Sequence, residues 1–200
     1  MLESKQIQKG ERLLERHEGE KEKGLLSSIL GWILYIGIIV GLTYLIITYV
    51  GQRTMVSGDS METTLSDGDN LIVDKISYRF KDPERFDIIV FPYKYEENTF
   101  YIKRIIGMPG ETIQIIDGYV YIDGELLESD IYGNEVMEYA SLASSPIELG
   151  EEEYFVLGDN RNHSSDSRDP SVGVLTRDDL IGRAWVRIYP FNEMGVIRHE

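Results

Sequence analysis

The sequence predicts a mainly β domain behind a single transmembrane helix. Three observations predict it. Residues 24–52 contain no charged side chain. After Thr54 the chain breaks into short apolar runs rich in β-branched and aromatic residues. Two of those runs are joined by Asp117-Gly118, a dipeptide that favours a tight hairpin.

Residues 1–23 carry six basic and six acidic side chains and no aromatic one. They read as a cytoplasmic tail or a short surface helix. The uncharged run that follows is 29 residues long, and about 20 apolar residues span a bilayer as a helix. Trp32 and Tyr49 lie near its ends, where amphipathic rings favour the membrane interface. A cleaved secretory leader has an apolar stretch of only about 7–15 residues, so the run reads as a retained anchor in contact with lipid. Lys9, Arg12, Arg16, Lys21 and Lys23 precede it, and only Arg53 follows before Lys75. That asymmetry predicts a cytoplasmic N-terminus and places residues 53–200 outside the cell membrane.

Strands are expected at residues 71–73, 87–91, 100–106, 112–116, 119–122, 154–157 and 181–189, from their apolar and β-branched content. Residues 126–150 are polar and weakly periodic. They read as a flap or an irregular excursion.

Composition excludes several functions. With no cysteine, disulfides, thiolate zinc sites and cysteine nucleophiles are ruled out. The three histidines, His17, His163 and His199, offer no pair at ligand spacing, so no metal or cofactor is expected. Residues 54–200 carry 13 basic and 29 acidic side chains. Such acidity repels phosphate, and a nucleic-acid partner is not expected.

Three stretches carry the candidate chemistry. The first, Val56-Ser57-Gly58-Asp59-Ser60-Met61, offers a serine nucleophile. A serine hydroxyl needs a base to take its proton, and His163 and Lys103 are the candidates. His163 sits in a polar run with nothing to bury it. Lys103 lies in the second stretch, Tyr101-Ile102-Lys103-Arg104-Ile105-Ile106. Strand alternation puts Tyr101, Lys103 and Ile105 on one face. A free lysine titrates near 10.4, and burial among apolar side chains lowers that value. The third stretch holds Asp159, Arg161, Ser164, Asp166, Ser167 and Arg168. Its two carboxylates have Arg161, Arg168 and Arg104 as possible partners. Ser60 lies eight residues beyond Gln52, within about 30 Å of the apolar run even when fully extended. A nucleophile tethered there suits a bond that is also cut at a membrane surface.

Taken together, these stretches resemble the bacterial type I signal peptidases (leader peptidases) of the short, single-span Gram-positive kind. The likeness covers roughly residues 25–190. It rests on Gly58-Asp59-Ser60-Met61 with Thr64-Leu65, on Gly68-Asp69 with Leu71-Ile72-Val73, on Arg85-Phe86-Asp87 with Tyr101-Ile102-Lys103-Arg104, and on Gly158-Asp159-Asn160-Arg161 with Ser164, Asp166 and Arg168. The resemblance implies coiled antiparallel β-sheets and a Ser-Lys dyad of Ser60 and Lys103. Ser164 would orient Lys103, and Asp166, Arg168, Arg104 and Asp159 would support the site. Val56, Met61, Leu65, Tyr101 and Ile102 would wall shallow substrate pockets. The substrates would be secretory preproteins, cut after small side chains at positions −1 and −3.

Two positions depart from the family pattern. Thr63 stands where proline is usual, and Gly58 stands where some relatives have a serine that helps bind the oxyanion. The oxyanion site would then rest on the backbone N–H of Ser60 and the region of Gly58. Two other readings are a self-cleaving Ser-Lys protease of the repressor type and an anchored β-domain that binds preproteins without cutting them.

Overall fold

The computed structural model describes residues 28–45, 51–133 and 135–199. The charged tail over residues 1–23 lies outside them. Helix α1 (Ser28–Leu45) is long and apolar enough to cross a membrane, and none of it is buried in protein. It belongs to one compact unit, and the strands belong to another. The uncharged run is not one continuous span, because Gly51 and Gln52 form the start of a β-strand. That strand pairs Gly51 with Asp74 and Gln52 with Val73.

The second unit is mainly antiparallel β. In chain order its strands are β1 (Gly51–Met55), β2 (Asn70–Asp74), β3 (Ile88–Pro92), β4 (Phe100–Gly107), β5 (Thr112–Ile116) and β6 (Tyr119–Ile122), then β7 (Glu125–Leu126), β8 (Ile147–Glu148), β9 (Glu153–Leu157), β10 (Leu175–Thr176), β11 (Gly182–Tyr189) and β12 (Gly195–Val196). The larger sheet runs β1-β2-β11-β3-β4-β9-β10, with β12 beside β11. The smaller runs β7-β6-β5-β8.

The expected hairpin forms between β5 and β6. Asp117 and Gly118 both adopt positive φ, 51° and 82°, which matches the twist of the flanking strands. A side chain at Gly118 would also strike Val136 and the backbone of Met137. Asp123-Gly124 repeats the turn chemistry between β6 and β7.

Period-two alternation builds the core on both faces of the large sheet. Ile88 and Val90 of β3 join Val56, Met61, Leu65, Leu71 and Ile102 on one face. Ile89 and Phe91 join Ile105, Tyr154 and Val156 on the other. A third cluster fills the space between the sheets with Ile106, Ile113, Ile115, Phe155 and Leu157. Strand β4 runs through all three, so it is buried continuously from Ile102 to Gly107. The described part of residues 126–150 is largely irregular, with a 3-10 turn at Ser141–Ser144 and the short β8, and it is not a free flap. Met137 and Ala143 are buried in the third cluster. The Glu138 N–H donates to Asn162, and Leu142 N–H donates to the Arg168 carbonyl.

Candidate active site

β4 brings Lys103 into the protein, and the turn after β1 delivers Ser60 to it. Lys103 Nζ lies 2.8 Å from Ser60 Oγ. The same nitrogen donates to the Ile102 carbonyl at 2.9 Å. Lys103 is 3% exposed and, among the described residues, has no carboxylate in contact. Burial pushes its pKa from 10.5 down to about 8, while the more distant charges of Asp166 and Asp159 pull it partly back. About half of the amine is therefore neutral near pH 8 and able to accept a proton. The Tyr101 ring lies beside the amine, 5.1 Å from Nζ to its centroid.

The Ser60 turn is tight. Glu62 N–H donates to the Asp59 carbonyl, and Leu65 N–H closes on the Met61 carbonyl. The loop after β9 grips this turn at both ends. Asn160 N–H donates to the Ser60 carbonyl, and its side-chain amide donates to the Asp59 carbonyl at 3.1 Å. Thr64 Oγ1 donates to Asp159 Oδ2 at 2.6 Å. Gly158 lets the loop approach this closely, since a Cβ there would overlap Ser164 Oγ and the Ser60 carbonyl.

The polar residues beyond the pair sort into separate ion pairs. Asp159 takes Arg104 in a two-point contact of 2.8 and 2.6 Å, and both are fully buried. Asp166 takes Arg168 and also accepts from Gly158 N–H. Arg161 takes Asp130 from the irregular segment. Ser164 Oγ is buried and makes no hydrogen bond among the described residues, so no contact with Lys103 orients the amine here. His163 is exposed and is not among the residues that line the groove beside the pair.

Gly58 does not offer its N–H to an oxyanion. That group donates to Asp67 Oδ1 at 2.8 Å. The N–H of Ser60 has no acceptor among the described residues. A groove of about 230 Å³ opens beside the pair, lined by Val56, Ser60, Met61, Tyr101, Ile102 and Lys103 among others. Leu65, expected as a pocket wall, is not among its lining residues. It is completely buried in the core beneath.

The groove runs along an open strand edge. β4 pairs with β3 from Phe100 to Arg104, but its pairing with β9 begins only at Arg104. Tyr93 N–H bonds the Thr99 carbonyl, and Ile105 N–H bonds the Asp87 carbonyl. Strand alternation then turns the backbone groups of Thr99, Tyr101, Lys103 and Ile105 toward β3. Those of Phe100 and Ile102 face the groove. Sequence reasoning placed Thr64 and Asn160 in the motif stretches without a role at the site, and it missed Asp67. The contacts of Thr64 and Asn160 link positions far apart in the chain, and that of Asp67 closes the local turn on Gly58. Among the described residues no cluster of three or more His, Asp or Glu side chains is placed to hold a metal ion.

A protein-family model described as signal peptidase, peptidase S26, matches residues 29–189. A signal peptidase I from Leptolyngbya laminosa is 40% identical over 84% of this chain and 84% of its own length. One from Bacillus licheniformis is 34% identical over 88% of this chain and 96% of its own. A crystal structure of a signal peptidase I from Enterococcus faecalis V583 aligns with 36% identity and a TM-score of 0.41, covering 52% of this chain and 97% of that one.

Proposed function

The chain belongs to the signal peptidase family, peptidase S26, and from that premise we propose that it removes signal peptides from secretory preproteins with a Ser60-Lys103 dyad. The observation that carries the reading is the 2.8 Å contact between Lys103 Nζ and Ser60 Oγ, made by an amine whose pKa burial lowers to about 8.

Each step follows from that contact. Neutral Lys103 takes the Ser60 proton as Oγ attacks the scissile carbonyl. The Ser60 N–H stabilises the oxyanion that forms. Lys103 then gives its proton to the leaving amine, and an ester to Ser60 remains. Neutral Lys103 next takes a proton from the water that attacks the ester carbonyl, and returns it to Ser60 Oγ as the C–O bond breaks and the acid product leaves.

The substrate strand adds to the open edge of β4, hydrogen-bonding to Phe100 and Ile102. The walls at Val56, Met61, Tyr101 and Ile102 leave about 230 Å³. In this reading the apolar walls select small side chains at positions −1 and −3, as the family resemblance implies. Helix α1 anchors the enzyme in the membrane, with the N-terminus in the cytoplasm and the β unit outside.

The test is cleavage of a purified preprotein in detergent by the full chain and by Ser60→Ala, Lys103→Ala and His163→Ala. The first two should lose at least about 10⁴-fold in kcat, and the third should retain activity. An active Lys103→Ala with an inactive His163→Ala would overturn the dyad.

A further inference from the structure

Tyr132 lies in the irregular segment and touches neither Ser60 nor Lys103. Its ring covers the face of the Arg104 guanidinium, with Cζ 3.7 Å from the ring centroid. The edges of that guanidinium are already engaged by Asp159, Thr64 and the Phe86 carbonyl. Arg104 and Asp159 are fully buried, whereas Tyr132 is half-buried. The ring is thus a layer between the ion pair and water.

Tyr132 is itself held on two sides. Its hydroxyl donates to the His199 carbonyl at 3.2 Å. The His199 ring is buried and accepts from Ile88 N–H at 3.0 Å. The Phe86 ring packs on Tyr132 at 5.1 Å. Phe86 adopts φ 71°, a conformation rare for a bulky residue, and its carbonyl accepts from Arg104 Nη1.

The covered ion pair has a mechanical role. Arg104 follows Lys103 on β4. Asp159 precedes Asn160 in the loop that holds the Ser60 and Asp59 carbonyls. The Arg104–Asp159 contact therefore ties the strand carrying the base to the loop gripping the nucleophile. A displacement of about 1 Å between reacting groups can cost about 10²-fold in rate.

We propose that Tyr132 is a positioning residue for the Ser60-Lys103 pair, acting by stacking on Arg104 and keeping the Arg104–Asp159 tie dry. The inference rests on Ser60 and Lys103 being the reacting pair. It requires a π face at position 132, and not merely apolar volume.

The experiment compares Tyr132→Phe with Tyr132→Leu in the full detergent-solubilised chain. Two single-turnover rates are read per folded molecule. One is preprotein cleavage. The other is acylation of Ser60 by p-nitrophenyl acetate, in which Oγ displaces p-nitrophenolate. Tyr132→Phe keeps the stack and loses one hydrogen bond, so both rates should stay within about threefold of wild type. Tyr132→Leu should lower both about tenfold, with preprotein KM unchanged. If Tyr132→Leu does not fold, Tyr132→Met fills the same space without a ring and carries the comparison. Equal rates for the Phe variant and the ringless variant overturn the proposal. Ester acylation that depends on the ring, in a chain that cuts no preprotein, upholds it and overturns the substrate reading instead.

Discussion

Lys103 and Arg104 are adjacent on β4, and both are buried cations on opposite faces of one sheet. Their fates differ because their partners differ. Arg104 meets a carboxylate in a two-point contact, so its charge is fixed and satisfied. Lys103 meets a hydroxyl and a carbonyl, so burial works against its charge and drives the pKa down to about 8. Burial with a counter-charge makes a structural tie, and burial without one makes an amine that gives up its proton more readily.

The comparison is broken most severely by removing the arginine. Arg104→Met leaves Asp159 fully buried and unpaired, which should cost about 3–5 kcal/mol of stability. Arg104→Lys should recover only part of that, because an ammonium does not reproduce the planar two-point contact. Urea unfolding of the detergent-solubilised chain, followed by near-UV circular dichroism, reads both.

The neighbouring substitution should have the opposite sign. Lys103→Met removes a cation whose burial is uncompensated. At pH 7 the shift from 10.5 to about 8 corresponds to about 3 kcal/mol of lost stability. Lys103→Met should therefore abolish cleavage and stabilise the fold by about that amount. The penalty on the wild type is complete below pH 8 and is relieved as pH rises toward 10.5. The stability gap between variant and wild type should accordingly narrow between pH 7 and pH 9.5. A destabilised Lys103→Met would sink the idea that this lysine is held at a cost.

Activity should follow the same titration. Only the neutral amine accepts the Ser60 proton, so kcat/KM should rise tenfold per pH unit up to an apparent pKa of about 8. From pH 6 to pH 8 that is roughly fiftyfold, because the curve bends over as it reaches the pKa. An acid limb centred near 6.5 would point to a histidine instead.

The β strands were legible where local chemistry sufficed. Asp117-Gly118 between apolar runs specifies its own turn, and β4 through β6 lie within a residue of their expected bounds. β1 was not legible, because Gly51 and Gln52 continue the uncharged run and their strand character comes only from pairing with β2. The two-residue strands are too short to carry a pattern. Ser60 and Lys103 stood out as residue types in suggestive contexts. The assignment of three arginines to three aspartates did not, since spacing alone matches Asp159 to Arg161 or Arg168 as readily as to Arg104. The family resemblance makes Leu65 a pocket wall by its position, whereas packing turns its side chain into the core.

The smallest effect tests how finely the Arg104 side is tuned. Thr64 Oγ1 donates to Asp159 Oδ2 at 2.6 Å and accepts from Arg104 Nη2 at 3.2 Å. It is the point where the ion pair touches the nucleophile turn. Thr64→Val keeps the shape and removes both bonds, at a cost of about 1.5 kcal/mol for hydrogen bonds to charged groups. Lys103 is untouched by the change, so the pH at half-maximal kcat/KM should remain near 8 while kcat falls. If the apparent pKa moves with Thr64→Val, the two sides of β4 are not independent, and the arginine tie helps to set the charge of the base.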